Sequence, residues 1–234
     1  MKFRCERDAL VEQLSTASRA VSSRGGALPV LTGIHLKAHK ETLTMTGSDL
    51  EITVRASVAV DVKESGEAVL PSRIVVDIIR SLDSGAVEVE VSGEEAKISG
   101  GRSQFSVRTL PVDDFPALSD PSGDQVTVAT ADLAAGLKQV VRAASGDDAR
   151  PILTGVLMSA EDGGLRLVAT DSYRLAVRDL PEATVLSEGQ KVLVPSRALD
   201  ELSRVLGDSE EVNVRLGERE VSFDVSLEDG AVQV

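Results

Sequence analysis

Residues 28–33 read Leu28-Pro-Val-Leu-Thr-Gly33, and residues 150–155 read Arg150-Pro-Ile-Leu-Thr-Gly155. The second stretch repeats the first at an offset of 122 residues. Further along the chain, Pro71-Ser-Arg73 matches Pro195-Ser-Arg197 at an offset of 124. Because the offset changes so little over this length, the sequence indicates one duplicated domain rather than two unrelated segments.

Each copy has the same order of predicted elements. A short strand at residues 1–5 or 126–129 precedes an amphipathic helix, and residues 72–82 and 196–206 form a second helix. Ser72, Ser196 and Thr130 are predicted to cap their helices. Alternating strands fill the rest, so we predict an α+β fold: tandem domains, each with two helices packed on antiparallel β-sheets. The first helices have apolar residues at helical spacing: Leu10, Leu14, Ala17 and Val21, and Leu133, Leu137, Val140 and Ala144.

A segment unfavourable for regular structure separates the copies. Phe115–Asp124 contains two prolines, one glycine and two aspartates, which is typical of a linker. We therefore predict domains at 1–120 and 125–234.

Composition limits the class of protein. The chain has 234 residues, 42% of them hydrophobic, and 25 basic against 38 acidic residues give a net charge of −13. No apolar run is long enough for a membrane span, and the charged N-terminus lacks the apolar core of a secretory signal. A single cysteine, Cys5, fits a reducing compartment. We therefore expect a globular cytoplasmic protein without a membrane partner.

Signatures of catalysis are missing from the sequence. It has no phosphate-binding GxxxxGK[ST] loop, no GxSxG nucleophile turn and no HExxH metal motif. His35 in a predicted strand, His39 in a turn and Cys5 make a poor ligand set. The sequence predicts no catalytic residue, no metal site and no cofactor.

Basic residues recur at helical spacing in both copies. Pairs seven residues apart on the second helices, and four apart on the first helix of the second copy, lie on one face of each helix. Such faces can hold a polyanion by salt-sensitive phosphate contacts, although ordinary solvated helix faces would look alike. The pairs are Arg73 and Arg80, Arg197 and Arg204, and Lys138 and Arg142.

Several spaced motifs across the whole chain resemble the bacterial sliding clamps, the β subunits of DNA polymerase III. The resemblance implies a DNA-clamp fold in a ring that encircles duplex DNA without base readout, and a non-catalytic processivity role. Family members have three domains and close as dimers. The third domain would therefore be absent here, and the second domain would stop within its last strands and leave an incomplete and exposed edge strand. The implied partners are double-stranded DNA, the polymerase III catalytic subunit, the clamp loader and other clamp-motif proteins. The motifs are Leu28–Gly33, Thr46–Glu51, Leu70–Arg73, Thr109–Pro116 and Ala169–Ala176.

The resemblance also assigns residues to two surfaces. It implies a DNA-facing set of Arg24, Arg73, Arg150 and Arg197, to which helix spacing adds Arg80, Lys138, Arg142 and Arg204. It implies a partner-peptide pocket formed by Leu153, Thr170, Ser172, Tyr173, Arg174 and Leu175. The first copy has the equivalent turn without the Tyr-Arg-Leu sequence, so the fold itself does not require that sequence. The alternative is a plain β-turn with a core-facing leucine.

Three alternatives to a working clamp of this kind stay open. An acidic β-rich scaffold would bind peptides without encircling DNA. A truncated clamp fragment would have intact domains and no function of its own. Two-domain chains can also supply six domains to a ring as a trimer.

Overall fold

The computed structural model describes residues 1–22, 28–118, 125–161, 164–180, 191–207, 209–216, 220–227 and 230–234. These residues form two compact units. The first unit contains the described residues from Met1 to Leu118 together with the last strand of the chain. The second unit contains the described residues from Gln125 to Leu227 and Val234.

The first unit consists of antiparallel sheets with two helices packed side by side. One sheet has the order β5-β1-β7-β8-β9, and another set of strands has the order β17-β4-β3-β2-β6. Helix α1 packs against α2 and against β4. The elements are β1 (Lys2–Glu6), α1 (Arg7–Ala17), β2 (Gly33–His39), β3 (Thr42–Ser48), β4 (Thr53–Ala59), β5 (Asp61–Glu64), β6 (Gly66–Pro71), α2 (Ser72–Ser81), β7 (Ala86–Ser92), β8 (Glu95–Gly100), β9 (Ser103–Arg108) and β17 (Gly230–Gln233).

The second unit repeats this arrangement. Its sheets have the orders β13-β12-β11-β14 and β10-β15-β16, and α3 packs against α4 and β13. The core contains apolar residues of both helices, such as Leu137 and Leu202, and Phe223 of β16. The elements are β10 (Gln125–Ala129), α3 (Thr130–Val140), β11 (Gly155–Glu161), β12 (Gly164–Thr170), β13 (Leu175–Leu180), β14 (Lys191–Pro195), α4 (Ser196–Val205), β15 (Glu211–Leu216) and β16 (Val221–Leu227).

The predicted fold class is confirmed, and the second helices lie within one residue of their predicted bounds. The predicted side-chain caps at Ser72, Ser196 and Thr130 are wrong, because these residues begin the helices and no side-chain capping bond forms. Each helix follows its strand directly, and main-chain carbonyls take over part of the capping. The amide of Thr130 donates to the Glu210 carbonyl at 2.9 Å, and that of Ser196 to the Thr154 carbonyl at 3.1 Å.

The last strand does not form the exposed edge that the sequence suggested. Strand β17 pairs antiparallel with β4, with Val232 opposite Ala56, and the Val232 side chain is buried. Paired main-chain groups remove the free edge along this side of the strand. Among the described helices, none has both the length and the apolar character that a bilayer span requires.

Candidate functional site

Two of the three predicted basic residues of the first unit lie on α2. Arg73 and Arg80 are both solvent-exposed. Nη2 of Arg80 donates to the Ser15 hydroxyl of α1 at 3.3 Å, and Nη1 of Arg7 donates to the Arg80 carbonyl at 3.3 Å and the Leu82 carbonyl at 3.0 Å. These bonds join α1 to α2, so the orientation of this basic helix face is fixed by its neighbour.

The first helix of the second unit also presents cations. Lys138 on α3 and Arg142 are exposed, although Arg142 lies in the short 3-10 turn that follows α3 rather than on the helix itself. Within the described residues, neither these two side chains nor Arg73 has an acidic partner at ion-pair distance. Their charge is therefore available to an anionic ligand.

Helix α4 is less basic than its arginine spacing suggests. Arg204 donates to Asp200 at 2.8 Å and to Glu201 at 2.8 Å, both on the same helix. Such surface pairs contribute little stability, but they offset the positive charge locally. Arg197 is exposed in the first turn of α4.

Taken together, the helices differ in charge from the rest of the chain. Helices α1 to α4 have six basic and six acidic residues, and the 3-10 turns after α1 and α3 add Arg19 and Arg142, whereas the chain as a whole has a charge of −13. Most of the negative charge thus lies outside the helical segments. The helical residues are Arg7, Arg73, Arg80, Lys138, Arg197 and Arg204, and Asp8, Glu12, Asp77, Asp132, Asp200 and Glu201.

Two predicted DNA-facing residues remain. Arg24 lies outside the described residues, and Arg150 lies beside Ser172 of the predicted partner-peptide pocket. Nε of Arg150 donates to Asp147 at 2.8 Å, and Nη1 donates to the Ser172 hydroxyl at 3.3 Å. The Arg150 guanidinium holds the pKa of the Asp147 carboxyl below its usual range. The structure therefore brings Arg150 to the turn between β12 and β13.

That turn is held by its own hydrogen bonds. The Asp171 carboxylate accepts from the amides of Tyr173 and Arg174, both at 3.0 Å, and the Thr170 hydroxyl donates to the Arg174 carbonyl at 2.7 Å. The bond from the Tyr173 amide, then that from Arg174, lowers the pKa of Asp171 below its ordinary value. Ser172 has a φ of 78°, in the left-handed region that is uncommon for non-glycine residues. A turn fixed in this way presents its side chains in one arrangement.

The first unit has the same turn with different side chains. The Asp49 carboxylate accepts from the amides of Glu51 at 3.1 Å and Ile52 at 2.8 Å, and Leu50 has a φ of 75°. The geometry is thus a property of the duplicated fold, which confirms that the fold does not need the Tyr-Arg-Leu sequence of the second unit.

Large apolar side chains are exposed in the turn between β12 and β13 and after Arg150. Tyr173 is 95% exposed and Leu175 is 66% exposed. Ile152, which sequence reasoning missed, is 75% exposed next to the half-buried Leu153. Its counterpart in the first unit, Val30, is buried, and only a comparison of the two folded copies reveals the difference. Exposed large apolar side chains are typical of binding surfaces, so these residues are candidates for one.

The described residues contain no cluster of three potential metal ligands. Burial raises the pKa of the Cys5 thiol to about 11, so this cysteine is a buried thiol rather than a reactive thiolate.

Comparison with protein families gives two matches in tandem. The model described as DNA polymerase III beta subunit, N-terminal domain, matches residues 1–119, and that of the central domain of the same subunit matches residues 127–231. The two matches together cover most of the chain.

Curated relatives carry the name beta sliding clamp. The protein of Streptomyces coelicolor is 36% identical over 219 residues, covering 92% of this chain and 57% of the relative. That of Micrococcus luteus is 35% identical, covering 93% of this chain and 70% of the relative. A Staphylococcus epidermidis clamp is 34% identical, covering 96% and 62%. This chain thus spans between 57% and 70% of the length of these relatives.

Solved structures agree with the assignment. The DNA polymerase sliding clamp of Bacillus subtilis superposes with a TM-score of 0.89 at 30% identity, covering 100% of this chain and 63% of the other. The Caulobacter crescentus beta sliding clamp gives a TM-score of 0.91 at 27% identity, with 100% and 64% coverage. The family matches along both units and the shared clamp fold establish that this chain belongs to the DNA polymerase III beta subunit family.

Proposed function

We propose that this chain acts as part of a sliding clamp, a ring that encircles duplex DNA and keeps a DNA polymerase on its template. The observation that carries the proposal is a set of exposed cations on the helices or directly after them, on a chain of charge −13. These are Arg73, Lys138 and Arg142, which have no acidic partner among the described residues. The ring itself is inferred from family membership. Similar domains would lie side by side in it, and the ring would close by self-association.

DNA would be held by electrostatics and topology rather than by base readout. Contacts between Lys or Arg and phosphate are independent of sequence and weaken with salt, which suits a protein that must slide. Acidic surface elsewhere repels the duplex from the remaining faces. In the proposed DNA-facing set, Arg204 contributes least because Asp200 and Glu201 offset its charge. The set comprises Arg24, Arg73, Arg80, Lys138, Arg142, Arg197 and Arg204.

Peptide motifs of partner proteins would bind at the turn between β12 and β13. Leu153, Leu175 and Tyr173 supply apolar contacts, and the polar groups of Thr170, Ser172 and Arg174 surround them. Arg150, bonded to Ser172, joins this site rather than the DNA-facing set. The proposed partners are the polymerase III catalytic subunit, the clamp loader and other clamp-motif proteins. The chain would act in the cytoplasm as a non-catalytic subunit without a cofactor.

A salt titration tests the DNA-facing helices. Duplex DNA is titrated by fluorescence anisotropy against the chain and its double variant Arg73→Glu and Lys138→Glu. Loss of two phosphate contacts is expected to reduce the slope of log affinity against log salt by about 2. The control, Lys63→Glu with Arg108→Glu, changes the net charge equally on strands, at residues already paired with Asp61 and Glu94. Equal effects of both pairs would contradict the proposed helix face.

The peptide site has a matched control in the first unit. Leu175→Glu places a charge among the apolar contacts and is expected to weaken binding of a clamp-motif peptide from the polymerase about tenfold or more. Leu50→Glu makes the same change on the equivalent turn of the first unit, where Leu50 is 59% exposed, and is expected to leave binding intact. Fluorescence polarisation measures both. A peptide-binding chain whose DNA affinity ignores salt would favour the acidic-scaffold alternative.

A further inference from the structure

The segment of residues 145–150 leads from one proposed binding surface to the other. It follows the 3-10 turn that contains Arg142, a member of the proposed DNA-facing set. It ends at Arg150, whose Nη1 donates to the Ser172 hydroxyl in the turn between β12 and β13. The Arg150 side chain is 46% exposed, so its charge lies within reach of a ligand. Which ligand it serves depends on what holds its guanidinium.

Asp147 holds the guanidinium of Arg150 in a fixed direction. Its Oδ2 accepts from Nε of Arg150 at 2.8 Å, and its Oδ1 accepts from the amide of Ala149 at 3.1 Å. The main chain closes the same turn, because the amide of Arg150 donates to the Asp147 carbonyl at 3.0 Å. The amide of Asp147 in turn donates to the Ser145 hydroxyl at 3.1 Å. Both carboxylate oxygens are therefore bonded, and the carboxylate is fixed relative to the main chain.

The same bonds change the chemistry that Arg150 can offer. The Arg150 guanidinium lowers the pKa of Asp147, so the carboxylate is ionised at neutral pH and offsets the positive charge at close range. Nε and Nη1 are used by Asp147 and Ser172, whereas Nη2 has no partner within the described part of the chain. A charge-compensated guanidinium attracts phosphate weakly, but its remaining N–H groups still donate to an uncharged acceptor such as a main-chain carbonyl.

The first unit has no such set of bonds. Leu28 occupies the position that corresponds to Arg150. Leu50 occupies the position that corresponds to Ser172. Two leucine side chains cannot form a hydrogen bond, yet the turn at Leu50 has the same backbone geometry as the turn at Ser172. The duplicated fold therefore does not require these bonds, and they occur in the unit that has the proposed peptide site.

We propose that Asp147 is a specificity-determining residue: by orienting and neutralising the Arg150 guanidinium, it assigns Arg150 to the peptide site and withholds it from DNA. The group that Arg150 recognises is then an uncharged hydrogen-bond acceptor of the partner peptide. Asp147 acts through Arg150 and is therefore a positioning residue. This inference rests on the proposed function, because it takes the DNA-binding and peptide-binding surfaces as given.

The substitution Asp147→Asn is expected to have opposite effects on the two ligands. It keeps the shape of the side chain but removes the charge and the acceptor for Nε of Arg150. The affinity for a clamp-motif peptide from the polymerase is expected to fall about fivefold, because a mobile guanidinium must be ordered on binding. The affinity for duplex DNA is expected to rise, and the slope of log affinity against log salt to steepen by about 1, because Arg150 adds one phosphate contact. A general loosening of the loop would weaken both ligands instead.

The neighbouring residue provides a matched control. Asp148 is exposed, and within the described residues its side chain has no hydrogen bond or ion pair. Asp148→Asn removes the same charge one position away and is expected to leave the peptide affinity and the salt slope unchanged. Fluorescence polarisation measures the peptide, and fluorescence anisotropy at several salt concentrations measures the DNA, each with the whole chain.

A second pair of variants tests whether Asp147 acts through Arg150. Arg150→Ala is expected to weaken peptide binding about tenfold, since it removes hydrogen bonds from a charged donor. In the Arg150→Ala background, Asp147→Asn is expected to change neither the peptide affinity nor the salt slope for DNA. An effect of Asp147→Asn that persists in this background would overturn the proposal, because Asp147 would then act on the loop itself.

The remaining outcomes separate this inference from the proposed function. A parent chain that binds both ligands, with Asp147→Asn and Asp148→Asn behaving alike, would overturn this inference alone. So would an Asp147→Asn variant that binds peptide and DNA more weakly than the parent chain. A parent chain that binds neither ligand would overturn the proposed function and this inference together.

Discussion

The same sheet is built twice in this chain, and its outer face is covered in one copy and open in the other. In the first unit the face contains His35, Thr46 and Arg55, and residues 109–118 lie across it. In the second unit the face is apolar and exposed at Leu193 and Val177. Duplication preserved the core and the strand register, whereas the solvent-facing residues changed.

The polar face is the covered one because its polar groups have partners. His35 Nε2 lies 3.2 Å from the Glu67 carboxylate, and Arg55 donates to the Leu118 carbonyl. Buried polar groups are tolerated when they are hydrogen-bonded in this way. The residues of the second unit at the positions of His35 and Arg55 are apolar and need no such partner.

The largest expected effect concerns the inner side of the two sheets. A Cβ on Gly47 would overlap the Ala17 carbonyl oxygen, whereas the equivalent position of the second unit already holds a buried alanine, Ala169. We expect Gly47→Ala to destabilise the first unit by about 3 kcal/mol, since backbone must move, and Ala169→Gly to cost the second unit about 1 kcal/mol. Urea denaturation, with hydrogen exchange measured separately for each unit, checks both. Equal costs would mean that the two inner faces are packed alike.

A second pair of substitutions compares equivalent positions on the outer faces of the two sheets. Val69 is fully buried beneath Leu110, whereas its counterpart Leu193 is 42% exposed. Val69→Ala is expected to cost about 2 kcal/mol, and Leu193→Ala about 0.5 kcal/mol although it removes more atoms. The same denaturation experiment measures the difference. A larger loss of stability for Leu193→Ala than for Val69→Ala would show that Leu193 is covered.

The smallest expected effect is a dependence of stability on pH at His35. Burial lowers the pKa of His35 below its ordinary value of 6.5, against an opposing hydrogen bond from Glu67. Because the unfolded chain then binds the proton more readily, the stabilising contribution is complete above pH 6.5 and declines as the pH falls toward the folded pKa. His35→Leu installs the residue found at the equivalent position of the second unit, Leu157. It is expected to remove this decline between about pH 7 and pH 5. Parallel curves for both proteins would exclude His35 as the cause.

Much of the fold could be predicted from local patterns. The Pro-Ser-Arg sequences give the starts of α2 and α4, and apolar spacing gives the buried faces of α1 and α3, as at Leu10 and Leu133. The turn containing Asp171 was also predictable, because the first copy has the same turn. These features depend on residues close in sequence.

Long-range contacts could not be read in the same way. Residues 115–118 read as a linker because prolines disfavour helices and strands, yet Phe115 stacks on a residue 80 positions earlier, His35. Leu193 and Val69 are both apolar strand residues, and only the covering segment distinguishes them. Likewise, nothing in the sequence indicates that Arg150 bonds Ser172, a residue 22 positions later in the chain.

The most direct test of the covered and open faces is the relaxation of methyl groups by a paramagnetic agent dissolved in the solvent. Leucine and valine methyl signals of the whole chain are recorded while a neutral gadolinium chelate is added. We expect strong broadening at Leu193 and Val177 and protection at Val69, which lies beneath Leu110. Protection of Leu193 equal to that of Val69 would contradict this difference between the two faces, because Leu193 would then already be covered.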